Sequence, residues 1–139
     1  MDLKLGAAEV QRLIMEGFGA ERQWLVIEAL EPGYVRTRLP FQKWMRRPGN
    51  VISGPALFTA ADTAMYALVL GHAGPQMMAV TSDINLHFVN RGAPADVITE
   101  VRLLKFGRKI AVMNVELRCG EDPKLIAHAV GSYSLPSSA

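Results

Sequence analysis

The stretch "NVISGPALFTAADTAMYALVLGHAG", residues 50–74, constrains the fold more than any other part of the chain, because it is almost wholly apolar and of helical length. Ser53 is a good N-cap, Pro55 is tolerated in a first helical turn, and Ala and Leu dominate the residues beyond it. The pattern therefore predicts a long helix starting at Ser53 or Gly54. A helix that is apolar on every side must be surrounded by protein. Asp62 is the only Asp, Glu, Lys or Arg in the segment, and it falls about two turns inside the helix. It is too deep to act as a cap, and its neighbours three and four residues away are Phe58, Thr59, Met65 and Tyr66 rather than a cation. Burying an unpaired carboxylate costs several kcal/mol, on the order of 3–5. A structural, hydrogen-bonded Asp is one explanation. The other is a catalytic carboxylate, since an apolar and partly dry setting moves carboxyl groups toward the range useful for proton transfer.

The remaining segments supply the cover for that helix. "AAEVQRLIMEGFG" sets Val10, Leu13, Ile14 and Phe18 at helical spacing, predicting a short amphipathic helix that stops at Gly17 and Gly19. "WLVIEAL" and "YVRTRLP" flank "EPG" and read as a hairpin ended by Pro40. "FQKWMRRPGN" is polar, basic and broken by Pro48 and Gly49, which predicts a loop of about ten residues. In "MMAVTSDINLHFVN" the period changes to two. Thr81, Asp83, Asn85 and His87 fall on one face, and Val80, Ile84, Leu86 and Phe88 on the other. "DVITEVRLLKF", "KIAVMNVELRC" and "LIAHAVGSYSL" are further strands, joined by the hairpin connections "GR" and "GEDPK", and "PSSA" reads as a frayed tail. The expectation is one α+β domain over residues 1–139, an antiparallel sheet wrapped around the central helix.

Composition narrows the function classes. A net charge of +2, with Lys and Arg scattered along 139 residues, offers no basic stripe for nucleic acid. The lone Cys119 excludes an internal disulfide and a cysteine metal cluster, and packing is its expected role. His72, His87 and His128 have no ligand spacing, so no metal is expected. Ser53 lacks the Gly-x-Ser-x-Gly elbow of a serine hydrolase. The N-terminus has no uninterrupted hydrophobic region, and no apolar run reaches about 18 residues, so the expected location is cytoplasmic, without membrane contact.

"NVISGPALFTAADTAMYALVLG" followed by "AVTSDINLHFVNRGAPADVITEVRLLKFGRKIAVMNVEL" resembles the hotdog-fold acyl-CoA thioesterases of the PaaI-like group, and the order of elements matches over nearly the whole chain. The resemblance implies a hotdog fold, hydrolysis of an acyl-CoA thioester without a cofactor, and assembly as a homodimer or homotetramer with sites at subunit interfaces. By the same resemblance, Asp62 matches the acid that serves as general base or nucleophile. Gly54 matches the helix-start glycine whose amide polarises the thioester carbonyl, a task suited to the unpaired amides of a helix N-terminus. Thr81 matches a strand hydroxyl that helps place the water.

The chain also departs from the family. Many relatives read His-Gly-Gly where this chain reads Ser53-Gly54-Pro55, and Pro55 offers no amide proton. An upstream Asn of some relatives falls on Arg47 by ungapped count, while Asn50 lies closer to the helix and is a candidate to replace it. Phe58, Met65 and Tyr66 are expected to shape the acyl pocket. CoA phosphates call for cations, and Arg91, Lys105, Arg108 and Lys109 are the candidates. The rival reading is a non-catalytic acyl-CoA-binding or regulatory hotdog protein. A hydratase is a third, disfavoured because no His accompanies Asp62 on the helix.

Overall fold

The computed structural model describes residues 2–19, 25–75 and 78–136. From the N-terminus the elements are α1 (Ala7–Phe18), β1 (Val26–Glu31), β2 (Tyr34–Leu39), a 3-10 turn (Lys43–Met45), β3 (Arg46–Arg47), β4 (Val51–Ile52) and α2 (Gly54–Ala73). Four long strands complete the chain, β5 (Val80–Phe88), β6 (Val97–Phe106), β7 (Ile110–Cys119) and β8 (Ala127–Ser134). No described helix is long and apolar enough to cross a membrane.

The central helix starts as its sequence predicts. Ser53 is the N-cap and its hydroxyl accepts from the Ala56 amide at 3.2 Å, with Gly54 and Pro55 as the first helical residues. From Ala60 to His72 every residue but Asp62 is buried. The sheet supplies the surroundings. It has six antiparallel strands in the order β1-β2-β6-β7-β8-β5, curved so that β2, β5, β6, β7 and β8 all pack against α2. This is the hotdog arrangement.

Several local readings change. Gly17 lies inside α1, and the helix ends at Gly19, whose φ of +101° suits a residue without a side chain. The predicted loop at 41–50 is partly ordered, because β3 and β4 pair across a tight turn at Pro48–Asn50. Asn50 has φ +58°, a conformation that Asn tolerates, so the turn itself gives Asn50 a structural role. Trp24, Met77 and most of the "PSSA" tail lie outside the described residues.

The largest correction concerns β5. It pairs with β8 at the far edge of the sheet, away from β6. A register shift between Thr81 and Asp83 then breaks the alternation. One extra residue exchanges the faces of the rest of the strand. Thr81 consequently points at α2, as do Ile84 and Leu86, while Asp83 points away and accepts from Ser132 at 2.7 Å. Thr81 and Asp83 therefore do not share a face.

Candidate functional site

Asp62 is half-buried and well partnered, which answers why the helix can hold it. The Thr81 hydroxyl donates to Asp62 Oδ1 at 2.6 Å, and the Tyr133 hydroxyl lies 2.6 Å from the same oxygen and 2.9 Å from the Asp62 carbonyl. Thr81 and Tyr133 are direct cross-strand partners on β5 and β8, so the bulge that turns Thr81 inward sets it beside the phenol. Among the described residues nothing donates to Oδ2. Burial first, and then the hydrogen bond to Asp62, push the Tyr133 phenol well above the usual tyrosine range, so it stays protonated and donates.

These groups open onto a hollow of about 350 Å³ lined by Phe18, Thr63, Tyr66, Ala79 and Val80 as well. The Tyr66 ring stacks on Tyr133 with centroids 6.1 Å apart, and Phe18 meets Tyr66 edge-on at 6.3 Å. Burial raises the Tyr66 phenol too. Tyr133 escaped the sequence reading. The available signal was on its own strand: Ala127, Ala129 and Gly131 precede it at a spacing of two, a small-residue face that lets α2 approach before one large polar ring. A Cβ on Gly131 would lie 2.6 Å from Met65 Sδ, which shows how close that approach is.

Gly54 lies elsewhere. It lines a separate cavity of about 400 Å³ together with Arg47, Val51, Ile52, Leu57, Phe88, Asn90 and Arg91. As the first helical residue it belongs to the amides without an intrahelical acceptor. Eight residues of helix put it about 12 Å along the axis from Asp62. The two expected catalytic groups of one chain thus face different hollows.

The other candidates divide by position. Ser53 caps α2 and Pro55 is exposed beside it. Asn50 lines a shallow hollow with Lys43, Arg46 and Arg47. Arg91 lies in the Gly54 cavity, whereas Arg108 lines a hollow near the C-terminal end of α2 with Lys4 and Ala73, and Lys105 precedes it on β6. Within one chain, therefore, Lys105 and Arg108 do not join Arg91. Cys119 is buried and its thiol is pushed up to about 11 by burial and by Asp122, which leaves it packed and unreactive. His87 and His128, distant in sequence, are cross-strand partners, and His128 bonds Asn114 at 2.8 Å. His72 accepts from the Gly33 amide at 2.9 Å.

Comparison with known proteins bears on the family and the fold. Residues 49–126 match the thioesterase superfamily. A candidate thioesterase of a Silicibacter species has a crystal structure 34% identical in sequence, with TM-score 0.89 over 98% of this chain and 95% of that one. A candidate esterase of Saccharolobus solfataricus is 25% identical over 130 residues, 93% of this chain and 85% of the relative. The phenylacetic acid degradation protein PaaI of Thermus thermophilus, solved as a mutant, shares the fold at 21% identity and TM-score 0.68, over 88% of this chain and 98% of that one.

Proposed function

Because this chain belongs to the thioesterase superfamily, we propose that it hydrolyses an acyl-CoA thioester to a free acid and CoA. The observation that carries this reading is the Asp62 carboxylate, tethered at Oδ1 by Thr81 and Tyr133 beside an open hollow. A carboxylate held at one oxygen can turn the other toward a water or a carbonyl carbon. As general base it takes a proton from water while the water oxygen bonds the carbonyl carbon; the C–S bond then breaks and the departing thiolate recovers the proton. As nucleophile it bonds that carbon itself, expels the thiolate and leaves an anhydride for water to cleave. Either route builds negative charge on the carbonyl oxygen, and the Gly54 amide is the donor this reading assigns to it.

One chain cannot bring both groups to one carbonyl, since Gly54 and Asp62 line different hollows. The reading therefore needs two copies, with the Asp62 hollow of one facing the Gly54 cavity of the other. The free edge of β5 supports this, with Val80, Phe88 and Val89 all more than half exposed.

The test mixes two impaired variants, Asp62→Asn and Gly54→Val, after dissociation and reassociation, and reads the gain over the mean of their separate activities. In a mixed dimer one site collects both defects and the other is intact, so random mixing restores about a quarter of wild-type sites. Thiol release from a panel of acyl-CoAs provides the assay, and light scattering the mass. Absence of thiol release by the wild-type protein overturns the catalytic assignment. Wild-type activity in a monomer, or no recovery on mixing, overturns the shared site.

A further inference from the structure

Two of the three histidines of this chain come face to face on the outer side of the sheet. His72 is buried in α2, whereas His87 on β5 and His128 on β8 are direct cross-strand partners. Their separation in sequence hides the pair, and only the β5–β8 ladder reveals it. Residues opposed in this way project from the same side of a sheet, with Cβ atoms about 4.5–5.5 Å apart. Ala127 and Ala129 flank His128 and are fully buried in the core, and Leu86, next to His87, packs against it. Alternation therefore sends both imidazoles outward, His87 exposed and His128 half-buried.

The neighbours of the pair decide its chemistry. His128 Nε2 lies 2.8 Å from Asn114 Oδ1. An amide oxygen only accepts, so Nε2 carries the proton in this bond and Nδ1 keeps its lone pair. Asn114 belongs to β7 and His87 to β5, the strands on either side of β8. A ring engaged with β7 at Nε2 leaves Nδ1 turned away from Asn114, on the side where His87 stands. A neutral imidazole oriented at one nitrogen by a carbonyl oxygen, with the other nitrogen open, is the arrangement that metal-bound histidines use. Glu116 stands opposite His128 on β7, but Arg118 holds its carboxylate at 3.2 Å, so the two imidazoles are the donor set. Among the described residues no group of three or more His, Cys, Asp or Glu is placed to hold a metal, and the pair is accordingly a two-ligand site.

We propose that His87 and His128 chelate a late first-row divalent ion, such as Zn2+, Ni2+ or Cu2+, on the outer face of the sheet, with water completing the coordination. Two nitrogens bound to one ion at about 2.0–2.1 Å lie about 3 Å apart, a spacing that rings rooted on opposed Cβ atoms reach by converging. Neutral imidazoles select such ions over Mg2+ and Ca2+, which take oxygen donors. The ion joins β5 to β8, the two strands that also carry Thr81 and Tyr133, and so braces an edge strand of the sheet. The site lies outside the Asp62 hollow and does not depend on the thioesterase reading.

The test uses the full chain without a histidine tag, stripped with a chelator and titrated with Zn2+, Ni2+ and Mg2+ by calorimetry and thermal melting. The expected result is saturable binding of Zn2+ and Ni2+ at one ion per chain, a rise in melting temperature of about 5 °C at saturating metal, and no response to Mg2+. His87→Gln and His128→Gln, each folded as the wild type by circular dichroism, should lose about tenfold or more in affinity and most of the melting shift. Asn114→Ala, which releases the His128 ring while leaving both ligands, should weaken binding several-fold. His72→Gln and Glu116→Gln should bind as the wild type does. Several results overturn the site: no saturable Zn2+ or Ni2+ binding by the wild type, affinity indifferent to both His87→Gln and His128→Gln, Mg2+ held as tightly as Zn2+, or an equal loss in His72→Gln.

Discussion

Thr81 and Tyr133 face each other across β5 and β8, and each hydroxyl lies 2.6 Å from the same oxygen of Asp62. Two donors on one oxygen fix the rotation of the carboxylate as well as its position. Preorganisation of this kind lowers the cost of reaching the reactive geometry.

Removing either donor should therefore slow turnover more than it weakens substrate binding. Tyr133→Phe keeps the ring that stacks on Tyr66 and removes only the hydroxyl. A fall in kcat of about tenfold with little change in KM is expected. Thr81→Val should behave similarly, and Thr81→Ser should retain activity. The double variant Thr81→Val/Tyr133→Phe should lose more than the product of the single losses, because each donor partly covers for the other. Simple multiplicative losses in steady-state kinetics would count against a shared positioning role.

Asp62→Asn preserves size and keeps a carbonyl oxygen for the two hydroxyls, but removes the base or nucleophile. Turnover should fall by about a hundredfold or more. Single turnover in oxygen-18 water, followed by mass spectrometry of the protein, separates the two roles. Label entering Asp62 indicates the nucleophile; where label is confined to the acid product, capture of an acyl-Asp62 anhydride by hydroxylamine separates nucleophile from base, because water attacking that anhydride at the acyl carbon leaves Asp62 unlabelled. Comparable turnover by a folded Asp62→Asn protein would remove Asp62 from the mechanism.

The start of α2 separates stability from chemistry. Ser53→Ala deprives the Ala56 amide of its acceptor and should cost about 1 kcal/mol of stability with chemistry largely kept. Gly54→Val places a side chain at the proposed approach of the carbonyl, where a Cβ lies 3.3 Å from the Phe88 ring. That ring is 60% exposed and can move aside, so the melting temperature should change little while turnover drops by about tenfold or more. The opposite pattern in melting curves and rates would transfer the function to the Ser53 hydroxyl.

His72 makes stability depend on pH. It is 3% exposed in the last turn of α2, and burial lowers its pKa below the usual histidine value. The folded state therefore favours the neutral ring, whereas the unfolded chain takes up a proton below about pH 6.5. Stability contributed by this difference is present above about pH 6.5 and is lost as pH falls through it toward the folded value. His72→Gln, which retains an acceptor for the Gly33 amide, should flatten the melting temperature between about pH 7 and pH 5 relative to wild type. An equally steep dependence in the variant would assign the effect to other groups.

Local chemistry was enough to read α2. Ser53, Gly54 and Pro55 announce its start, its apolar surround demands a wrapping sheet, and Asp62 stands out by its charge alone. Each of these signals is contained in a few adjacent residues, so the sequence by itself determined them. The partners of Asp62 were decided by pairing between distant segments. Tyr133 reaches it from 71 residues away, and Thr81 reaches it only because a bulge in β5 reverses the face that strict alternation assigns. A strand's period tells which residues share a face while its register is unbroken, and neither the bulge nor the choice of β8 over β6 is written in that period. The same holds for the cations. Arg46, Arg47 and Arg91 come together because β4 ties their two loops side by side, and Lys105 and Arg108, equally basic in sequence, are carried toward the other end of the helix by the long hairpin of β6 and β7.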